Sequence, residues 1–157
     1  MKKLFATLSF LIITSGILMI GGGAWGIKFT YTHIAQEKIT TPDDASIPGV
    51  PVRGPLTLKA QADIIRTHML RTAGGKTYAE MPRQIAKLDE NGAPVLDKDG
   101  KPVMITNTAR DTWITANVLI TALNLAIMAY AFSGFMLLVG FVFLFIGIML
   151  FVLRKKY

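Results

Sequence analysis

The chain has no cysteine, so no disulfide braces it and no thiol can act as nucleophile or metal ligand. Its only histidines are His33 and His68, too few imidazoles for a metal centre without a cluster of acids beside them. Acidic residues are missing from both ends: all ten lie between Glu37 and Asp111. Charge of either sign is missing from Leu4 to Ile27 and again from Thr112 to Leu153. These absences exclude a proton relay or ion path through the apolar stretches. GxSxG, HExxH and phosphate-loop patterns are also missing. No set of residues reads as catalytic, cofactor-binding or metal-holding.

What is present is hydrophobicity with basic ends. The 157 residues are 52% apolar and carry a net charge of +7, which places the chain in the membrane class. Lys2 and Lys3 precede the first apolar run, and Arg154, Lys155 and Lys156 follow the last. The middle is nearly neutral, with twelve Lys/Arg against ten acids between Lys28 and Asp111. Those bases are scattered singly, so the high pI is a topology signal and no nucleic-acid partner is expected. By the positive-inside rule both termini, 1–3 and 154–157, are cytoplasmic, and residues 28–129 are extracytoplasmic. The expected location is the bacterial inner membrane, with lipid as a partner.

Leu4 to Ile27 reads as the first transmembrane helix. A basic start, an apolar stretch and nearby Gly/Ala also describe a secretory signal. The segment is long for one, and Gly22-Gly23-Ala24 is a weak cleavage site, so a retained helix is the expectation. Thr112 to Leu153 as one helix would be about 63 Å long, roughly twice the hydrocarbon core. Taking 130–153 as the second span gives two spans of equal length and sets Trp25 and Tyr130 together as outer interface anchors. Residues 112–129 then project outward as an extension too apolar to stand in water. The cover is the 57–72 helix, the strap or another subunit. A break near Ser133-Gly134 would put Arg154 outside, against the charge rule.

Small residues recur every seven positions in both runs, at Ser9, Gly16 and Gly23 and at Ala126, Ser133, Gly140 and Gly147. Such a stripe lets two backbones approach closely in a left-handed crossing. In an antiparallel pair Ser9 meets Gly147, Gly16 meets Gly140 and Gly23 meets Ser133. Asn117, Thr121 and Asn124 form a polar stripe on the extension, which either bonds to a partner helix or faces solvent.

Between the runs, 29–56 holds Pro42, Pro48, Pro51 and Pro55 and reads as an extended strap. Residues 57–72 read as a helix with Leu58, Ala62, Ile65 and Met69 on one face, ended by Gly74-Gly75. Thr77 to Glu80 matches a capping box opening a short helix over 78–84. Asp89–Leu96 (DENGAPVL) and Asp97–Met104 (DKDGKPVM) are a tandem repeat. Their Asn-Gly and Asp-Gly pairs predict type I′ turns in a three-stranded β-meander over 85–106. A calcium loop fails on spacing, since the third acid before the glycine and the downstream bidentate acid are missing. The expected class is a mainly α membrane protein, an antiparallel two-helix transmembrane hairpin with a small α+β extracytoplasmic domain.

Gln36–Thr40 (QEKIT), Ala60–Met81 with its TAGGKTYAEM ending, and Thr108–Leu153 beginning TARDTWITANVLITALNL resemble a family of small actinobacterial-type membrane proteins. Its members are often mislabelled as aromatic ring-opening dioxygenases. The resemblance implies two membrane helices flanking a modest extracytoplasmic segment; the Ile85–Ile105 repeat departs from it as an insertion. The enzymatic label conflicts with the residues, because extradiol cleavage needs iron held by two His and a carboxylate. The function expected is a non-catalytic accessory subunit or assembly factor of a larger membrane complex, with other subunits as partners. The respiratory, electron-transferring host is an implication of the resemblance. The alternative is a freestanding cell-envelope module that holds a lipid, glycan or protein.

Overall fold

In the computed structural model, which describes residues 2–154, the chain is mainly helical. Helix α1 spans Lys2–Gln36, α2 Pro55–Thr72 and α3 Thr108–Leu153; strands β1 (Gln84–Ala86) and β2 (Met104–Thr106) form a small antiparallel sheet. Both α1 and α3 are long and apolar enough to cross a membrane. Lys155 and Lys156, expected in the basic tail, lie outside the described residues.

Helix α1 does not stop near Ile27. It runs on to Gln36, so the start of the expected strap is helical. No Pro or Gly interrupts 27–36, and tilted rings pack along one face there: Trp25 against Phe29 at 5.2 Å and Phe29 against His33 at 4.2 Å between centroids. The falling hydropathy beyond Ile27 brings no change of conformation. The helix ends where Lys38 takes a positive φ of 53°.

The segment after it is no extended strap either. It doubles back on itself: Thr41 N–H donates to the Val50 carbonyl, Gly49 N–H to the Thr41 carbonyl and Val52 N–H to the Ile39 carbonyl, all within 3.0 Å. Proline blocks helix here but permits a closed loop. The loop thereby pushes Val52 into the core. Helix α2 starts two residues before the expected Thr57, with Pro55 in its first turn. The Thr57 hydroxyl accepts from the N–H groups of Arg53 and Gly54 and so satisfies the helix entry. Gly74 and Gly75, both at positive φ, close its other end.

The expected helix over 78–84 is only a 3-10 turn at Tyr78–Glu80, since Pro82 follows at once. The tandem repeat also differs from a meander. Lys87 N–H donates to Val103 O, Val103 N–H to Val95 O and Val95 N–H to Lys87 O, each at 2.8 Å. Positions eight residues apart thus close a ring, and β1 pairs directly with β2 where a meander would keep its outer strands apart. The turns are not type I′, which needs positive φ at both central residues. Only Gly92 (φ 80°) and Gly100 (φ 75°) are left-handed. Asp89 and Asp97 explain the choice: each carboxylate accepts two backbone N–H groups of its own loop, from Asn91 and Ala93 and from Asp99 and Lys101. Such bonding fits a type I turn with a following glycine bulge.

Helix α3 is continuous through Ser133-Gly134 and starts four residues before the expected Thr112. Asn107 caps it: its Oδ1 accepts from Arg110 N–H, and its Nδ2 donates to the Pro82 carbonyl at 3.0 Å. Two core clusters sit on the first third of α3. One joins Val52, Leu58, Ala62 and Leu123; the other joins Met69, Met81, Trp113 and Ala116.

Candidate interaction surfaces

The seam between the long helices is built from the small residues. Ser9, Gly16, Gly23, Ser133, Gly140 and Gly147 are all buried. The Ser9 hydroxyl donates to the Gly147 carbonyl at 2.7 Å. A Cβ on Gly16 would lie 2.8 Å from the Gly140 carbonyl oxygen, and one on Gly23 would lie 2.7 Å from the Ser133 carbonyl oxygen. Only hydrogen at Cα fits such an approach. Thr30 extends the series by one more heptad and is also buried, its hydroxyl bonded to the Gly26 carbonyl. Ala126 is partly buried against the Val52 cluster. At the far end of the pair Lys2, Lys3 and Arg154 line one hollow, so the basic ends of α1 and α3 are neighbours.

Beyond the seam the loop is stapled to both long helices by one residue. Arg53 donates from Nη1 to the Tyr31 hydroxyl at 3.1 Å, and its carbonyl accepts from the Tyr130 hydroxyl at 2.6 Å. Tyr130, expected as an interface anchor, thus spends its hydroxyl on the loop; Trp25 is exposed on α1. Trp113, 2% exposed, donates from Nε1 to the Lys76 carbonyl at 3.0 Å and fixes the segment after α2. Arg110 lies over the Tyr78 ring at 3.9 Å. Arg53, Trp113 and Tyr78 carry no sequence pattern that singles them out, because their partners are 22 to 77 residues distant or are backbone groups.

His68 Nε2 is 2.7 Å from Asp44 Oδ2, which ties the loop to α2. That hydrogen bond, opposed by slight desolvation, holds the Asp44 carboxyl below its ordinary value. Glu80 is lowered likewise, because its carboxylate accepts from the Thr77 N–H and hydroxyl. Among the described residues no three His, Cys, Asp or Glu side chains gather as a metal site would require.

Helix α2 covers one side of the 112–129 segment. The other side stays open as a groove of about 610 Å³ lined by Tyr78, Ile114, Asn117, Val118, Thr121, Ala122 and Leu125. Asn117 and Thr121 therefore face this groove; Asn124 is exposed beyond it. A second hollow of about 570 Å³ lies between the end of α1, the loop, α2 and α3, with Ile34, Leu58, Ile65, Leu119 and Leu123 as its apolar walls and His33, Glu37 and Gln61 as its polar groups. Gln61 Oε1 is buried without a hydrogen-bond partner among the described residues. No family model, curated protein or solved structure matches the chain.

Proposed function

We propose that the protein is a membrane-anchored, non-catalytic subunit or assembly factor of a larger membrane complex. In this reading α1 and α3 form a transmembrane hairpin in the bacterial inner membrane, both termini are cytoplasmic and residues 28–129 are extracytoplasmic. One observation carries the proposal: the outward face of α3 between Ile114 and Met128 remains apolar and exposed after the chain's own domain has packed on the opposite face. A contiguous apolar patch rimmed by polar groups is what a protein partner covers. Asn117 and Thr121 supply hydrogen-bonding groups within it, as an interhelical contact with another subunit requires. The neighbouring Lys2, Lys3 and Arg154 support cytoplasmic ends. An energy-converting respiratory assembly as host rests on the resemblance of Gln36–Thr40, Ala60–Met81 and Thr108–Leu153.

Extraction in mild detergent and mass spectrometry of what co-purifies tests the reading. Stable partner chains are expected, and recovery of the chain only as a monomer would sink it. Val118→Asp is expected to lower partner recovery at least tenfold while leaving the fold intact, since Val118 is 63% exposed. Undiminished recovery would remove this face as the docking surface.

A further inference from the structure

We propose that the hollow at the basic end of the helix pair is a site for the phosphodiester head of an anionic glycerophospholipid, of the phosphatidylglycerol type, in the leaflet that this end faces. The proposal rests on the membrane-spanning reading above. Lys2, Lys3 and Ala6 of α1 and Arg154 after α3 line the hollow, whose volume of about 390 Å³ lies within the range of small-molecule sites. The fold thus brings three cations from opposite ends of the chain to one place, and the fourth lining residue, Ala6, offers only a methyl group. No acidic side chain can neutralise them. Glu37 is the first acid in the sequence and Asp111 the last. Glu37 follows the far end of α1, about 52 Å from Lys2 at 1.5 Å per residue, and Asp111 stands in the first turn of α3, about 64 Å from Arg154. Attraction between exposed charges fades over about 8 Å at physiological salt. The hollow therefore presents net positive charge to whatever enters it, and it selects an anion.

Depth identifies the source of that anion. Ser9 bonds to Gly147 across the seam. Lys3 is six residues from Ser9, about 9 Å, and Arg154 is seven from Gly147, about 10.5 Å, so the cations of the two helices stand at one level. That level directly follows Leu4 and Leu153, the terminal residues of the two apolar runs. In a bilayer it is the headgroup layer, where basic hollows between helices take acidic lipid heads. Arg154 lies over the Phe151 ring at 4.4 Å, which positions its guanidinium at the rim. The forked N–H donors of a guanidinium match the oxygens of a phosphate. Leu4 and Phe151 are exposed beside these cations and can take the first methylenes of the acyl chains. A choline head would bring its own cation against the three already there. A phosphoglycerol head brings none.

The test uses the full chain in phosphatidylcholine vesicles. Flotation first reports insertion; failure to float overturns the membrane-spanning reading, and the lipid site with it. With insertion established, phosphatidylglycerol or phosphatidylcholine carrying a spin label on one acyl chain is added in trace amounts, and electron paramagnetic resonance measures how much of each the protein immobilises. Phosphatidylglycerol is expected to be preferred by about fivefold or more, the effect of a single cation near an acidic lipid. Arg154→Gln is expected to lower that preference about fivefold on the same basis. Lys98→Gln, which removes an exposed cation in the second repeat loop, is expected to leave it unchanged. Ala6→Phe fills the hollow and keeps every charge; it is expected to remove most of the preference, and Ala6→Ser to leave it intact. A preference that survives Ala6→Phe would be diffuse attraction to the basic ends and would overturn the hollow as the site. Glycerophosphate in large excess is expected to leave the lipid immobilised, and full displacement would overturn the lipid as the source of the phosphate. Equal immobilisation of the two lipids, or an equal preference in the wild type and Arg154→Gln, would overturn the assignment while leaving the membrane reading standing.

Discussion

Gly140 shows how much one missing side chain decides. A Cβ there would lie 2.8 Å from Ile20 Cγ1 and 2.9 Å from both the Gly16 carbonyl oxygen and the Ile20 nitrogen. Two of these three atoms are backbone, which cannot swing aside as a rotamer does. Gly140→Leu is therefore expected to destabilise the helix pair by about 1–3 kcal/mol or more, in keeping with overpacked cores. Leu138→Ile, at a position 62% exposed, is expected to change it by less than about 0.5 kcal/mol. Unfolding of the two variants in mixed micelles measures both, and equal tolerance would refute the close approach. Ser9, Gly16, Gly23 and their partners were legible because the seven-residue period is written directly in the chain. Arg53 and Trp113 were not. Their roles depend on tyrosine hydroxyls and a carbonyl supplied by remote elements that only the fold brings near.

Among the elements, the loop and α2 hold each other through Asp44 and His68. Because hydrogen bonding to His68 depresses the Asp44 carboxyl, its contribution is intact above the ordinary value of 3.8 and is lost as pH falls through the lower folded-state value. Both groups are exposed, so the effect is local loosening and not global unfolding. Acid titration followed by NMR of the Thr41 and Val52 amides is expected to show the loop shifting below pH 3.8. In Asp44→Asn that step is expected to vanish; an identical acid response in both proteins would exclude this pair as its source. The element boundaries teach a related lesson. Apolar length located α1 and α3, but α1 outlasted its own hydropathy because helix needs only an absence of breakers, whereas lipid needs an absence of polarity. Asn-Gly and Asp-Gly correctly marked turns; the type changed because Asp89 and Asp97 hydrogen-bond their own loops more fully than type I′ geometry permits.

At the scale of the whole molecule, the polar middle is not a separable domain. Val52, Leu58 and Met69 close their cores only on Leu123 and Trp113 of α3. Residues 28–111 alone would lack Leu123 of one cluster and Trp113 and Ala116 of the other, so the long helix is at once the expected anchor and the wall of the domain. At about 69 Å, α3 is more than twice as long as one bilayer core is thick, and α1, at about 52 Å, exceeds it by about three-quarters. In the membrane-spanning reading both surpluses emerge on one side, because the close seam joins Ser9 to Gly147 and places the basic ends together. By the charge rule that basic side is expected to be cytoplasmic. Since the chain has no cysteine, one introduced thiol reports its own compartment. Asn91→Cys, exposed at the tip of the first repeat loop, is expected to react with a membrane-impermeant maleimide added to intact cells. Lys3→Cys is expected to react only after permeabilisation. Labelling of Lys3→Cys in intact cells would reverse the orientation, and labelling of neither before permeabilisation would place the repeat inside. Either result would move the exposed Ile114–Met128 face away from extracytoplasmic partners, so orientation and docking stand or fall on the same measurement.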